Sequence, residues 1–302
     1  VPGATFTTAI RINATGVVTG FYATDQKTAH GFIRATDGTI TSFDVPHAVV
    51  TAGIAIDASG RVCGNWTGKN RGHQHGFVRE ANGTVTVFDA PHAKDTSPMA
   101  FDANGNIAGS FSTEKRKARG FIRSPDGTFT IFGAPHPLVT AVYSSNAAGA
   151  LAGEYIDKRS DDERMIRTPN GTLTLFKVQG AAGTAGQSIN VAGDVAGSYY
   201  DKDSVFHGFV RQADGTIVTF DPTGSIDTEP VGINDDAAVV GSFTTGDNIG
   251  HGFVRQPDGS FTSFDDPEAG NTTIPRALNN SGAIAGSYID AGGATHGFIL
   301  AP

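Results

Sequence analysis

The 302-residue sequence predicts an all-β fold, a seven-bladed β-propeller of four-stranded antiparallel blades. Two ladders and one abundance carry that prediction. A small, apolar stretch ends in Asn or Asp at Asn13, Asp57, Asp102, Asn146, Asn190, Asn234 and Asn279, in steps of 44 or 45 residues. Six positions ahead of each stands a threonine: Thr7, Thr51, Thr96, Thr140, Thr184, Thr228 and Thr273. Forty glycines against 17% charged residues call for many tight turns and few long helices. Repetition of a 40–50-residue unit without helices is the mark of a propeller.

Each unit holds four strand-like runs, here named A to D. In the second they read "TAGIAID", "RVCGNWT", "HGFVRE" and "GTVTVFD". The A–B link "DASG" and the C–D link "ANG" are tight turns of residues that tolerate positive φ. Links B–C and D–A are longer and vary. The opening "VPGATFT" aligns with "VPHAVVT", which follows a D strand, and the chain closes on the C-strand run "HGFILAP". There are seven A, B and C runs but six D runs, so the expectation is either a last blade of three strands, lacking its outer one, or an upstream segment that supplies it. Residues 1–302 form one expected domain.

Composition narrows the function. The hydrophobic share of 38% is ample for a core, and no apolar run reaches the roughly 18–20 residues that span a bilayer. A net charge of −8 argues against a general nucleic-acid binder. The single cysteine, Cys63, excludes an intrachain disulfide and reads as core. The expected partner is an anionic saccharide or small molecule, with neither nucleic acid nor membrane involved and the chain a monomer.

The unit "GxIxGxYxD…HGFxRxxDGTxxxFDxP" resembles the bacterial extracellular HAF-type repeats along essentially the whole chain. The resemblance implies secretion, hence an extracellular or periplasmic location, and brings no settled activity with it.

What recurs in most units is read as scaffold. This covers the "HGF" histidines at His30, His75, His207, His251 and His296, expected to hold strand C through a hydrogen bond. It also covers the aromatic column Tyr22, Trp66, Phe111, Tyr155, Tyr199, Phe243 and Tyr288, expected to pack between blades.

Deviations from the repeat mark the candidate site. Ten residues before each ladder position glycine is the default (Gly3, Gly180, Gly224), but His47, His92 and His136 replace it in three consecutive D–A links. The neighbouring B–C links carry Lys69 and Arg71, then Lys115 and Arg116, then Arg159, with Lys94 beside His92. These links share one face in a propeller, and their variability makes it the expected binding face. Along the A strands, Tyr143, Gln187 and Arg276 break an apolar column and Arg11 breaks a column of small residues. Neighbouring first and last blades would bring Arg11 near Arg276.

Histidines, a tyrosine, arginines and a basic rim suit an anionic ligand. One expected chemistry is β-elimination on a uronate-containing saccharide, as propeller-fold polysaccharide lyases perform. A cation must neutralise the carboxylate and stabilise the enolate-like state, for which Arg11 and Arg276 are the candidates. Base and acid roles fall to His47, His92, His136 and Tyr143, with Gln187 and the rim cations binding substrate. A second expectation is a divalent metal (Zn, Mn or Ca) held by His47, His92 and His136. The third is a non-catalytic propeller that binds glycan or protein.

Overall fold

In a computed structural model the chain is all-β, with antiparallel meanders arranged around a common axis. The structure describes residues 1–302 apart from 70–71, 114–116, 134–136 and 158–161, and gives the main chain alone for 137, 162, 186 and 187. Each unit runs A to D in chain order. In the first these are Phe6–Ile12, Val18–Ala23, His30–Arg34 and Ile40–Phe43, each hydrogen-bonded to its sequence neighbour. Six units have this form, and the last comprises three strands, Thr272–Leu278, Ile284–Ile289 and Thr295–Leu300. The A strands lie side by side in order, and that of the first unit touches those of the second and the last, so the ring closes.

The Asx ladder builds both the turns and the ring. Asn13 Oδ1 accepts the backbone N–H of Thr15 and of Val17, closing the A–B turn, and Gly16 adopts φ +85 within it. Its amide Nδ2 then donates to the Asp57 carbonyl of the next unit at 2.9 Å. Asn146 donates likewise to Asn190 O, Asn190 to Asn234 O, and Asn279 back to Asn13 O at 3.0 Å. One side chain thus caps a turn and ties two units together.

The threonine ladder does the corresponding work at the opposite end of strand A. Thr51 Oγ1 accepts the Val45 N–H and Thr96 Oγ1 the Ala90 N–H, both at 3.1 Å. Both threonines are fully buried.

Apolar packing runs between units. The "HGF" phenylalanines Phe77, Phe121, Phe209 and Phe253 are wholly buried. Each meets the D-strand ring of the preceding unit edge-on: Phe43 with Phe77, Phe88 with Phe121, Phe176 with Phe209 and Phe220 with Phe253. Full burial of such a ring is worth about 1.5–3 kcal/mol. The C-strand arginine two residues on covers the same D-strand ring, as Arg79 covers Phe43 at 5.2 Å and Arg255 covers Phe220 at 4.8 Å. Small residues admit the ring from its own unit. A Cβ on Gly31 or Gly252 would stand 2.5 Å from Phe43 or Phe264.

The "HGF" histidines do hold strand C, and the bond goes to a carboxylate on strand D. His30 Nδ1 lies 2.9 Å from Asp44, His75 2.9 Å from Asp89, His207 2.7 Å from Asp221 and His251 2.9 Å from Asp265. The aromatic column packs between units as expected, Phe111 clustering with Ala55 and Val78 of the preceding unit and Phe243 with Ala196 and Val210, and it also covers the histidines. Tyr22, Trp66, Tyr199, Phe243 and Tyr288 pack on the histidine of their own unit, with ring centroids 4.9–5.3 Å apart.

Candidate functional site

Every A strand carries a β-bulge. Pairing with strand B jumps over Ile10, Ile54, Met99, Tyr143, Gln187, Val231 and Arg276 in turn. A bulged residue leaves the ladder and its side chain is re-aimed, which is how a column of mostly apolar residues accommodates Tyr143 and Arg276. Arg276 is the bulge residue of the last unit and is exposed, while Arg11 directly follows the bulge of the first and is half-buried. Arg11 Nη1 donates to the backbone carbonyl of Arg276 at 3.3 Å, and the charge of Arg276 is close enough to act on Arg11.

Both line a central cavity of about 350 Å³, together with Ser144, Ser188, Asp57 and Asp102. Burial pushes the Arg11 guanidinium below its ordinary range, and the like charge of Arg276 adds to that. The two aspartates are already engaged. Asp57 Oδ2 lies 2.7 Å from Arg61 Nη2, and Asp102 accepts from the backbone N–H groups of Asn104 and Asn106 and from the Asn106 side chain. No ion pair to Arg11 or Arg276 is present among the described residues. Two guanidinium groups without a carboxylate partner among the described residues thus face a cavity that also presents serine hydroxyls.

This cavity opens on the face of the A–B turns, where the exposed Ala58, Ala103 and Ala147 form its rim. The expected binding face was the other one. Short turns leave the mouth of the axis uncovered, whereas the variable links stand at the far end of the A strands.

The described histidines stand at that far end. Val45–Ala48 is a turn closed by Ala48 N–H donating to Val45 O at 3.0 Å, with Pro46 second and His47 third at φ +67. His92 repeats this at φ +60, where Gly3, Gly180 and Gly224 adopt +76 to +86. A type II turn demands positive φ at its third residue, which is why glycine is the default there. His47 and His92 are therefore exposed turn residues. They are separated from the level of Arg11 by most of a nine-residue strand, Ala48–Ile56, or roughly 25 Å at about 3.3 Å per residue. The expectation that these histidines and the arginine pair share one reaction centre is corrected on that ground. His136 lies outside the described residues, and no cluster of three metal-binding side chains is present among the described ones.

Tyr143, expected as acid or base, is engaged by a neighbouring carboxylate. Its hydroxyl donates to Glu154 at 2.5 Å, and Glu154 lies 3.6 Å from the buried Arg164. Burial, then the hydrogen bond and charge of Glu154, push the phenol above its ordinary range, which unsuits it as a base at neutral pH. Of the basic rim, Lys69 and Lys94 are exposed at the far face. Arg71, Lys115, Arg116 and Arg159 lie outside the described residues, as does the side chain of Gln187. Ser144 and Ser188 were not anticipated as site residues; each follows a bulge, as Arg11 does, and that shared position was the signal.

Neither a family model nor a curated protein matches the chain. Solved structures do. A streptogramin B lyase superposes with a TM-score of 0.65 at 14% identity over 100% of this chain and 95% of its own. The β-propeller domain of the Trilobed protease from Pyrococcus furiosus gives 0.66 at 8% identity, covering 97% and 96%. A mutant Aleuria aurantia lectin in complex with Fucalpha1-6GlcNAc gives 0.52 at 9% identity, covering 87% and 96%. The fold is that of a β-propeller. At these identities the likeness concerns fold alone.

Proposed function

We propose that the chain is a seven-bladed β-propeller, its last blade three-stranded, that binds a carboxylate-bearing saccharide in the central cavity. The observation that carries this is the Arg11–Arg276 pair, two neighbouring cations without a carboxylate partner among the described residues, at the mouth of about 350 Å³. That volume lies at the small end of the ligand-pocket range of about 300–1,000 Å³. A carboxylate seated between the guanidinium groups relieves their mutual repulsion, and Ser144 and Ser188 offer hydroxyls to the sugar ring. The lectin neighbour's complex with a fucosyl disaccharide supports a sugar as the class of ligand. The HAF-type repeat pattern supports a secreted, extracellular or periplasmic protein.

Binding takes precedence over β-elimination because His47 and His92 stand at the far end of the A strands from the arginines, and the Tyr143 hydroxyl is engaged by Glu154. Titration calorimetry against galacturonate and galactose oligomers tests the reading: the uronates are expected to bind and the neutral sugars not. Equal affinity for both, or none for either, contradicts it. Absorbance of an unsaturated product during the same incubation would replace binding with lyase chemistry.

A further inference from the structure

The lining of the central cavity comes only from the last residues of the A strands and from the A–B turns, and no B, C or D strand contributes to it among the described residues. The seven turns around its mouth share one form: the last residue of each donates its N–H to the carbonyl of the ladder Asn or Asp at 3.0–3.1 Å. Neighbouring turns are tied together, Asn13 to the Asp57 carbonyl at 2.9 Å, Ala103 N–H to the Ala147 carbonyl at 3.2 Å and Asp235 N–H to Asn280 Oδ1 at 3.1 Å. The second residue of every turn, from Ala14 to Asn280, is exposed. The mouth is therefore a crater with an even rim and no lowered side. A cleft that grips the middle of a chain must let it enter and leave, whereas a crater admits one end.

Charge points the same way. None of the seven turns contains lysine or arginine, and the sixth carries Asp235 and Asp236, both exposed. Arg61, directly after the second turn, is already held by Asp57 at 2.7 Å. The cavity thus offers Arg11 and Arg276 to one carboxylate, and the rim offers no cation to a second. The successive carboxylates of a polyuronate lying across the mouth would meet an uncharged surface or, within a Debye length of about 10 Å, the repulsion of Asp235 and Asp236.

We propose that the cavity recognises a single uronate at the end of a saccharide chain, the remainder of the chain leaving into solvent; this rests on the reading of the cavity as a uronate site. The terminal carboxylate sits at Arg11 and Arg276, in the first and last units. Ser144 and Ser188, in the fourth and fifth, lie across the axis and face the opposite side of the sugar. Size agrees with one residue. A hexuronate ring occupies roughly 200 Å³ at close packing, so a cavity of about 350 Å³ holds one ring and its linkage but not two rings. An internal uronate, with a neighbour attached on both sides, cannot descend past the rim to the arginines.

The test is titration calorimetry of the 302-residue protein with two ligand sets. The first is the galacturonate dimer, the hexamer and long polygalacturonate. Affinity counted per chain end should vary by less than about threefold along this series, and the number of protein molecules bound per chain should not grow with its length. The second set is three galactose hexamers in which one residue is replaced by galacturonate, at either end or in the middle. One of the two end isomers should bind about as the galacturonate dimer does, and the internal isomer at least about tenfold more weakly. An internal isomer that binds as well as the better end isomer overturns the proposal, and so do several protein molecules loaded on one long chain. Both results would leave the cavity a uronate site. Absence of binding by every uronate would instead overturn that underlying reading, and chain-end recognition with it.

Discussion

Alanine at Gly31 and at Gly297 should have opposite consequences, although the two glycines occupy the same place in the repeat. At Gly31 the new Cβ would stand 2.5 Å from Phe43 Cζ and 2.6 Å from Cε2. The ring must retreat by about 1 Å to reach ordinary contact, yet it is fixed between the buried Phe77, 5.9 Å away, and Arg79. Forcing a methyl into such a site costs about 1–3 kcal/mol. The stiffer unfolded chain returns about 0.4–1 kcal/mol, so a net loss of about 1–2 kcal/mol is expected. At Gly297 the nearest atom is Thr7 Cγ2 at 3.3 Å, which must give by a few tenths of an ångström, a smaller strain than at Gly31 with the same entropic gain set against it. Gly297→Ala should be neutral or slightly stabilising. Equilibrium urea unfolding reads the difference. With a slope of about 3 kcal/mol per molar, the Gly31→Ala midpoint falls by about 0.5 M while that of Gly297→Ala holds. Equal losses at the two sites would refute the account of ring-filled slots.

Three further outcomes follow from the scaffold. Asn190 is buried and bonds its own turn, Asp194 and the next unit, so Asn190→Ala should cost about 1–3 kcal/mol in urea unfolding; Asn190→Asp should cost at least as much, because it sets a buried carboxylate against Asp194 and a carbonyl oxygen. Burial alone would lower the His207 pKa, but Asp221 and then Asp201 outweigh it and raise it above its ordinary value. Its stabilisation is then complete below about pH 6.5 and lost as pH climbs through the raised value; thermal midpoints from pH 6 to 9 should show that loss, and Asp221→Asn should flatten it. Burial pushes the Cys63 thiol up and leaves no surface for attack, so a thiol reagent should label none of the native protein and one equivalent after unfolding.

The repeat made the fold readable, because seven copies of one pattern cancel local ambiguity in any one of them. The polar column Tyr143, Gln187 and Arg276 was visible too, and the bulge at each of those positions supplies its cause. The His–Asp pairs were also within reach. The aspartate fourteen residues after His30, His75, His207 and His251 is absent where the histidine is absent: Arg119 goes with Gly133 and Glu163 with Lys177. What misled was the face. Variable links suggested where ligand would bind, but the exposed His47 and His92 take a left-handed turn position, and the open mouth lies where the turns are shortest. Sequence spacing shows that Arg11 and His47 occupy one propeller. The strand length that separates them emerges only with the register in hand.

The most direct measurement compares one uronate ligand on two double variants, Arg11→Ala with Arg276→Ala and His47→Ala with His92→Ala. Loss of two charge-assisted contacts at about 1.5–3 kcal/mol each should weaken affinity at least about a hundredfold in the arginine variant. The histidine variant should bind as the unaltered protein does. Binding that survives loss of the arginines, or fails with loss of the histidines, would contradict the assignment of the site to the cavity at the tight-turn face.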